Sequence, residues 1–186
     1  MARDVLVASF VAFGVAEVSV RVRNTRKSGS SRMDRGSILA VVAGIAAGGL
    51  AAGWFSAKAP ACEIPGSWAV FGIGVLLIWC GIALRQWAVF TLGRFFTVVV
   101  RVSEEQRAVD RGPYRWVRHP SYTGLLLTLT GVGLAVGNWL SLAALVALPT
   151  WGLSIRIRVE EAALMTALEG YREYADGKAR LIPGIW

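Results

Sequence analysis

The chain has 186 residues, of which 55% are hydrophobic and 17% charged. That is more apolar surface than one soluble core of this size buries, which favours a membrane protein. The net charge of +8 lies between long apolar runs and not along one polar face, so the continuous basic footprint of a nucleic-acid binder is missing. With two cysteines, Cys62 and Cys80, and one histidine, His119, neither a structural zinc site nor a disulfide scaffold is expected, and no metal is assigned.

A spanning helix needs about 20 apolar residues. Val5 to Val20 is a short first stretch carrying Glu17. It has Asp4 beside Arg3, no small-residue cleavage pattern, and its basic segment after it instead of before, so it reads as a retained helix and not a signal peptide. Ile38 to Ala57 comes next, then Trp68 to Phe90 with Arg85 and Gln86 near one end, where a long side chain reaches the interface. Leu125 to Val136 and Trp139 to Ile155 are separated by Gly137 and Asn138, a turn-forming pair that suits a tight helical hairpin. The expected fold is all-α, a polytopic membrane protein of about five spans.

Arg21 to Arg35 contains Arg21, Arg23, Arg26, Lys27, Arg32 and Arg35, whereas Lys58 to Ser67 has one lysine and one glutamate. The positive-inside rule then makes the first connection cytoplasmic and the second external. The N-terminus is expected outside and the C-terminus cytoplasmic. Thr91 to Tyr122 and Arg156 to Trp186 fall on that same cytoplasmic side, where a soluble cofactor is available.

The first of these polar blocks runs from Glu104 to Tyr122 and includes Gly112-Pro113-Tyr114 and Arg118-His119-Pro120-Ser121-Tyr122. Gly112-Pro113 signals a turn and Pro120 biases His119 away from helix, so the segment is irregular up to the next span. Its free backbone amides suit a ligand; on composition alone the block equally suits an interfacial loop holding lipid headgroups. The second block opens with Arg156, Arg158, Glu160 and Glu161 and continues through Tyr171 and Tyr174 to Arg180. Arg156 and Glu160 share one helical face, as an ordinary ion pair or as part of a site. Trp139 and Trp151 read as interfacial anchors, and Trp116 either as a third or as a cover that seals the site.

Gly112-Pro113-Tyr114, then Arg118-His119-Pro120-Ser121-Tyr122 with Gly124, a helical hairpin, and Glu160-Glu161 followed by Tyr171 and Tyr174 resemble the isoprenylcysteine carboxyl methyltransferases. The resemblance covers roughly Leu92 to Trp186. It implies a division into three N-terminal transmembrane helices in residues 1–90 and a catalytic region in residues 91–186, with a cytoplasmic cofactor pocket formed by the C-terminal half. The implied cofactor is S-adenosyl-L-methionine, with contacts at Gln106, Arg107, Ala108, Val109, Tyr114, His119, Pro120, Ser121, Tyr122 and Glu160. The implied substrate contact is Arg156, with Arg118 as a second candidate for positioning the acceptor. Placing Glu160 and Arg156 takes this chain as one residue shorter between the glutamates and Tyr171; without that gap the cofactor glutamate would fall on Val159. Ala108 stands where a larger aliphatic residue is common.

Methyl transfer from a sulfonium to a carboxylate is an in-line displacement, and a terminal carboxyl group with a pKa near 3.5 is already ionised at neutral pH. The site must therefore supply position and not a general base. An arginine at Arg156 suits that task through paired hydrogen bonds, and Glu160 suits an ammonium group or ribose hydroxyls. The expected function is methylation of a prenylcysteine α-carboxylate or similar lipid-linked substrate, which enters from the bilayer among membrane lipids. The wider superfamily offers a phospholipid N-methyltransferase as an alternative, and a nicotinamide-dependent membrane reductase or a non-enzymatic scaffold as alternatives of another class. The membrane would be the cell membrane in a prokaryote and the endoplasmic reticulum in a eukaryote.

Overall fold

The computed structural model describes residues 32–93 and 108–186, together with the single positions Ala8, Val11, Gly14 and Val15. Apart from those positions, the expected first span lies outside the described residues. Gln106 and Arg107 lie outside them as well.

Among the described residues four long helices carry the fold: α1, Arg32–Lys58; α2, Ser67–Leu92; α3, Pro120–Val136; and α4, Trp139–Ala167. A short α5, Tyr171–Ala175, follows, and 3-10 turns form at Pro60–Cys62 and Gly112–Arg115. Three of the described helices are long and apolar enough to cross a membrane, over Arg35–Lys58, Trp68–Leu92 and Trp139–Ala167. The apolar α3 has 17 residues, at the lower limit of about 17 for a span. Much of the outer surface is apolar, with Leu50, Trp54, Leu76 and Trp151 all exposed, as a bilayer-facing surface requires.

The helices meet as two close antiparallel pairs, α1 on α4 and α2 on α3, joined through contacts between α3 and α4. Glycine sets the separation within each pair. A Cβ at Gly44 would lie 2.6 Å from the Leu148 carbonyl oxygen, and one at Gly152 would lie 2.5 Å from that of Ala40. On the other pair, a Cβ at Gly131 would lie 2.5 Å from the Gly74 oxygen and one at Gly124 would lie 2.7 Å from the Gly81 oxygen. Lipid supplies no hydrophobic drive between helices, so backbone approach through small residues is what holds them together. Between the pairs, Ile78, Ile82, Leu125, Leu129, Val132, Leu145 and Leu153 form a continuous apolar core.

Each helix boundary has a local cause. Pro120 occupies the first turn of α3, after His119 at φ −125°, so α3 begins five residues before the expected Leu125; proline fits there because the first-turn amides have no helical partner anyway. Gly137 closes α3 in the left-handed conformation at φ 74°. Asn138 then caps α4, its Oδ1 accepting from the Leu140 and Ser141 amides at 3.0 and 3.1 Å. Its amide nitrogen donates to the Ala59 carbonyl at 2.9 Å, and the Ile64 amide donates to that of Gly137 at 2.8 Å. The hairpin turn and the α1–α2 connection therefore share one end of the bundle, and His119 and the tail share the other.

The sequence ends its last span at Ile155, but α4 runs unbroken to Ala167. At about 1.5 Å per residue its 29 residues extend about 43 Å, well beyond a hydrocarbon core of about 30 Å. The surplus turns carry Arg156, Glu160 and Glu161, whose side chains find partners that make leaving the helix unnecessary.

Candidate active site at one end of the bundle

Two polar systems converge on the end of α4 where α3 begins. The first is built on Glu161, which is 6% exposed. Arg118 Nη1 lies 2.9 Å from its Oε1, His119 Nε2 3.2 Å from the same oxygen, and Arg180 Nε 2.8 Å from Oε2. A carboxylate buried this far needs such compensation. The cluster is tied by backbone as well: the Arg118 amide donates to the Ala179 carbonyl at 2.9 Å and the His119 amide to that of Arg180 at 3.0 Å. Thr123 adds a bond from Oγ1 to the Leu181 carbonyl at 2.8 Å. The segment before α3 and the C-terminal tail are thereby fastened to each other and to α4.

The second system runs across three helices. Arg156, 4% exposed, donates from Nη1 to Ser37 Oγ on α1 at 2.8 Å and from Nε to the Tyr122 hydroxyl on α3 at 3.4 Å. Tyr122 in turn donates to Glu160 Oε2 at 2.7 Å, and its ring stacks on that of His119 with centroids 5.6 Å apart. Adjacent glutamates thus take separate tasks. Glu161 is absorbed by the side chains of Arg118, His119 and Arg180, whereas Glu160 is half-buried and joined through one hydroxyl to Arg156.

Further contacts close the periphery. Arg85 of α2 donates from Nη1 to the Ser121 hydroxyl at 2.7 Å and to its carbonyl at 3.2 Å. The Tyr174 hydroxyl donates to the Tyr114 carbonyl at 2.9 Å, and Lys178 pairs with Asp110 at 2.7 Å while lying over the Tyr174 ring. Leu168, Tyr171 and Ala175 pack together, with Ala108 and Leu164 against them. Burial is the main cause that pushes the Tyr114 phenol far above its ordinary range, with the Glu160 charge adding to it. Tyr171 and Tyr174 are also raised chiefly by burial, so these phenols are neutral donors at physiological pH.

The structure therefore gathers Tyr114, Arg118, His119, Pro120, Ser121, Tyr122, Arg156 and Glu160 at one end of the bundle, with Ala108 packed against the tail and Val109 partly buried. Trp116 remains 59% exposed, meeting Trp87 edge to face, in keeping with an interfacial anchor. Sequence reasoning did not assign Ser37, Arg85, Arg180 or the clasping role of Glu161. In the sequence Arg85 is an arginine near the end of a span, and Ser37 carries no signal, since one serine beside an apolar stretch is unremarkable. Among the described residues no group of three or more His, Cys, Asp or Glu side chains is placed to hold a metal ion.

The chemistry of this end is the pairing of a buried guanidinium with a carboxylate through a neutral hydroxyl. Arg118 adds a buried Nε with no partner among the described residues, a donor that an incoming anion would satisfy.

Residues 73–166 match the model of the isoprenylcysteine carboxyl methyltransferase (ICMT) family. The chain is 34% identical over 116 residues to a rice (Oryza sativa subsp. indica) probable protein-S-isoprenylcysteine O-methyltransferase, covering 61% of each chain. It is 35% identical over 115 residues to the Saccharomyces cerevisiae protein-S-isoprenylcysteine O-methyltransferase, covering 61% of this chain and 47% of the yeast one. A solved structure of the eukaryotic intramembrane Ras methyltransferase ICMT superposes with a TM-score of 0.64 at 26% identity, over 77% of this chain and 52% of that one. The chain thus spans about three fifths of the rice relative's length.

Proposed function

Because the chain belongs to the isoprenylcysteine carboxyl methyltransferase family, we propose that it is an integral membrane, S-adenosylmethionine-dependent enzyme that methylates the α-carboxylate of a prenylated cysteine or a similar lipid-linked acid. The observation that carries this is the Arg156–Tyr122–Glu160 chain. It sets a fork-shaped cation suited to a carboxylate beside an anion suited to an ammonium or a ribose, at the end of an apolar bundle.

The residues present fit the cofactor by their chemistry. Glu160 would take the ammonium group or ribose hydroxyls, and the buried Arg118 Nε, without a partner among the described residues, would take a carboxylate, the cofactor's or the acceptor's. Tyr114, His119 and Tyr122 add hydrogen-bonding groups and rings. When bound, S-adenosylmethionine supplies an electrophilic methyl group on a sulfonium.

The protein's part is positional. An acceptor carboxylate with an ordinary pKa near 3.5 arrives ionised, so no side chain has to remove a proton. Arg156 orients it, and the hydrogen bonds that already hold the guanidinium limit how tightly it pairs, which keeps the ground state from being over-stabilised. Apolar helix surfaces admit a prenyl tail from the bilayer, and the Glu161 clasp keeps water from the inner side of the site.

The basic Arg21 to Arg35 connection supports a cytoplasmic orientation for this site by the positive-inside rule, with the Lys58 to Ser67 connection outside. The deciding experiment titrates detergent-purified protein with S-adenosylhomocysteine and with a reduced nicotinamide, then compares methylation of an S-prenylated N-acetylcysteine with that of its tail-free analogue in mixed micelles. Saturable binding of S-adenosylhomocysteine alone and turnover only with the prenyl tail are expected. Binding of the nicotinamide instead, or equal turnover without the tail, overturns the proposal.

A further inference from the structure

The α1–α4 pair keeps one antiparallel register over its length. Ala40 lies over Gly152, Gly44 under Leu148 and Gly48 under Ala144, each contact so close that an added Cβ would sit 2.5, 2.6 and 3.1 Å from the facing carbonyl oxygen. At one end the register closes on a polar contact, Ser141 Oγ donating to the Ala52 carbonyl at 2.8 Å. At the other it brings Ser37 to Arg156, where Oγ accepts from Nη1 at 2.8 Å. Ser37 is 2% exposed, so the bond is sheltered from competing water.

We propose that Ser37 is a positioning residue for the methyl acceptor, fixing the plane of the Arg156 guanidinium so that it meets the acceptor carboxylate in one orientation. A guanidinium is flat, and bonds at two different nitrogens settle both its tilt and its direction. Here Nε is held by Tyr122 from α3 and Nη1 by Ser37 from α1. Because the glycine contacts hold the α1 and α4 backbones against each other only one turn away, Ser37 cannot drift from Arg156 without parting the helices. Its helix begins well before the matched residues 73–166, so the N-terminal half of the chain contributes directly to acceptor geometry. The inference rests on the reading that Arg156 meets the acceptor.

The test uses the full-length protein in mixed micelles, with Ser37→Ala, Arg156→Ala and the double variant. Three quantities are measured: kcat/KM for an S-prenylated N-acetylcysteine, Kd for S-adenosylhomocysteine, and thermal unfolding. Losing one hydrogen bond to a charged group is expected to lower kcat/KM about ten-fold in Ser37→Ala while Kd stays within about two-fold. In the Arg156→Ala background the same change is expected to add nothing, since its effect passes through the guanidinium. Ser37→Thr, which keeps the hydroxyl, should recover most of the loss. Ser37→Cys, close in volume but a weak acceptor, should reproduce it and replaces Ser37→Ala if that variant does not fold. Parent-level kcat/KM in Ser37→Ala, with Arg156→Ala disabled, overturns the inference and leaves Arg156 its role. Equal losses from Ser37→Ala in both backgrounds overturn it too, because Ser37 would then act independently. Parent-level turnover in Arg156→Ala instead defeats the reading of Arg156 on which the inference stands.

Discussion

The Tyr122 hydroxyl donates to Glu160 Oε2 across 2.7 Å and itself accepts from Arg156 Nε at 3.4 Å. One side chain on α3 thus joins an anion and a cation that lie one turn apart on α4. Direct pairing of Arg156 with Glu160 would neutralise both groups. Interposing a hydroxyl holds each in a fixed orientation relative to the other.

Tyr122→Phe removes that junction with little change in volume. The expected outcome is a loss of roughly ten-fold in S-adenosylhomocysteine affinity together with a similar drop in acceptor kcat/KM, because hydrogen bonds to charged groups are worth about 1.5–3 kcal/mol and Glu160 is open enough for water to replace part of one. Isothermal titration and initial rates measured side by side check it. A change confined to one of the two ligands would show that the hydroxyl does not serve both groups.

Glu161 and Glu160 should separate cleanly on substitution. Glu161→Ala strands Arg118, His119 and Arg180 around a buried site, and breaking a buried ion pair from one side costs about 3–5 kcal/mol. A marked fall in the unfolding temperature and faster proteolysis of the tail are expected. Glu160→Ala should unfold close to the parent temperature yet bind S-adenosylhomocysteine roughly ten- to a hundred-fold more weakly. Thermal unfolding and ligand titration on both variants decide the matter, and the reverse pattern would exchange the two assignments.

The helical membrane fold was legible because it rests on long apolar runs, and the Gly137-Asn138 turn because those residues act locally through a positive φ and a side-chain cap. The site was legible where its residues cluster in sequence, from Tyr114 to Tyr122 and at Glu160. Ser37 and Arg180 were not, since each joins through a contact distant in the chain: Ser37 lies 119 positions from Arg156, and Arg180 reaches Glu161 only when the tail folds back. The apolar run ends at Ile155 while α4 continues to Ala167, because Arg156 and Glu161 are compensated on the helix by partners that come from elsewhere in the chain.

The tail tyrosines give the fold a limit at alkaline pH. Burial raises Tyr171 and Tyr174 above the ordinary value of 10.0, so the unfolded chain ionises first. Their contribution is complete below about pH 10 and declines as the pH rises beyond it. Far-ultraviolet and phenolate absorbance titrations should show the phenolate signal delayed above pH 10 and rising together with release of the tail. Free titration of all four tyrosines near pH 10 in folded protein would contradict the burial.

Cys62 tests the orientation. It lies in the Pro60–Cys62 turn between α1 and α2 and is partly exposed, at the bundle end opposite Glu161. With the basic end in the cytoplasm, an impermeant thiol reagent should label Cys62 on intact cells in a Cys80→Ala background. Labelling only after permeabilisation would invert the topology and put the proposed cofactor site on the wrong side for a cytoplasmic methyl donor.

Arg156 carries the sharpest expectation about chemistry. Its bonds to Ser37 and Tyr122 turn a flexible side chain into a fixed fork, and a fork orients a carboxylate where a point charge merely attracts it. Arg156→Ala should leave S-adenosylhomocysteine affinity within a few-fold of the parent and reduce turnover by about a hundred-fold or more, the scale on which lost alignment of reacting groups is felt. Arg156→Lys keeps the charge without the plane. Near-complete loss in that variant means oriented pairing, and substantial residual activity means simple attraction. Unfolding temperatures must accompany the rates, since removing the guanidinium also leaves Tyr122 to Glu160 alone. If well-folded Arg156→Ala turns over at the parent rate, the acceptor carboxylate is held elsewhere, and the buried Nε of Arg118 is the donor to substitute next.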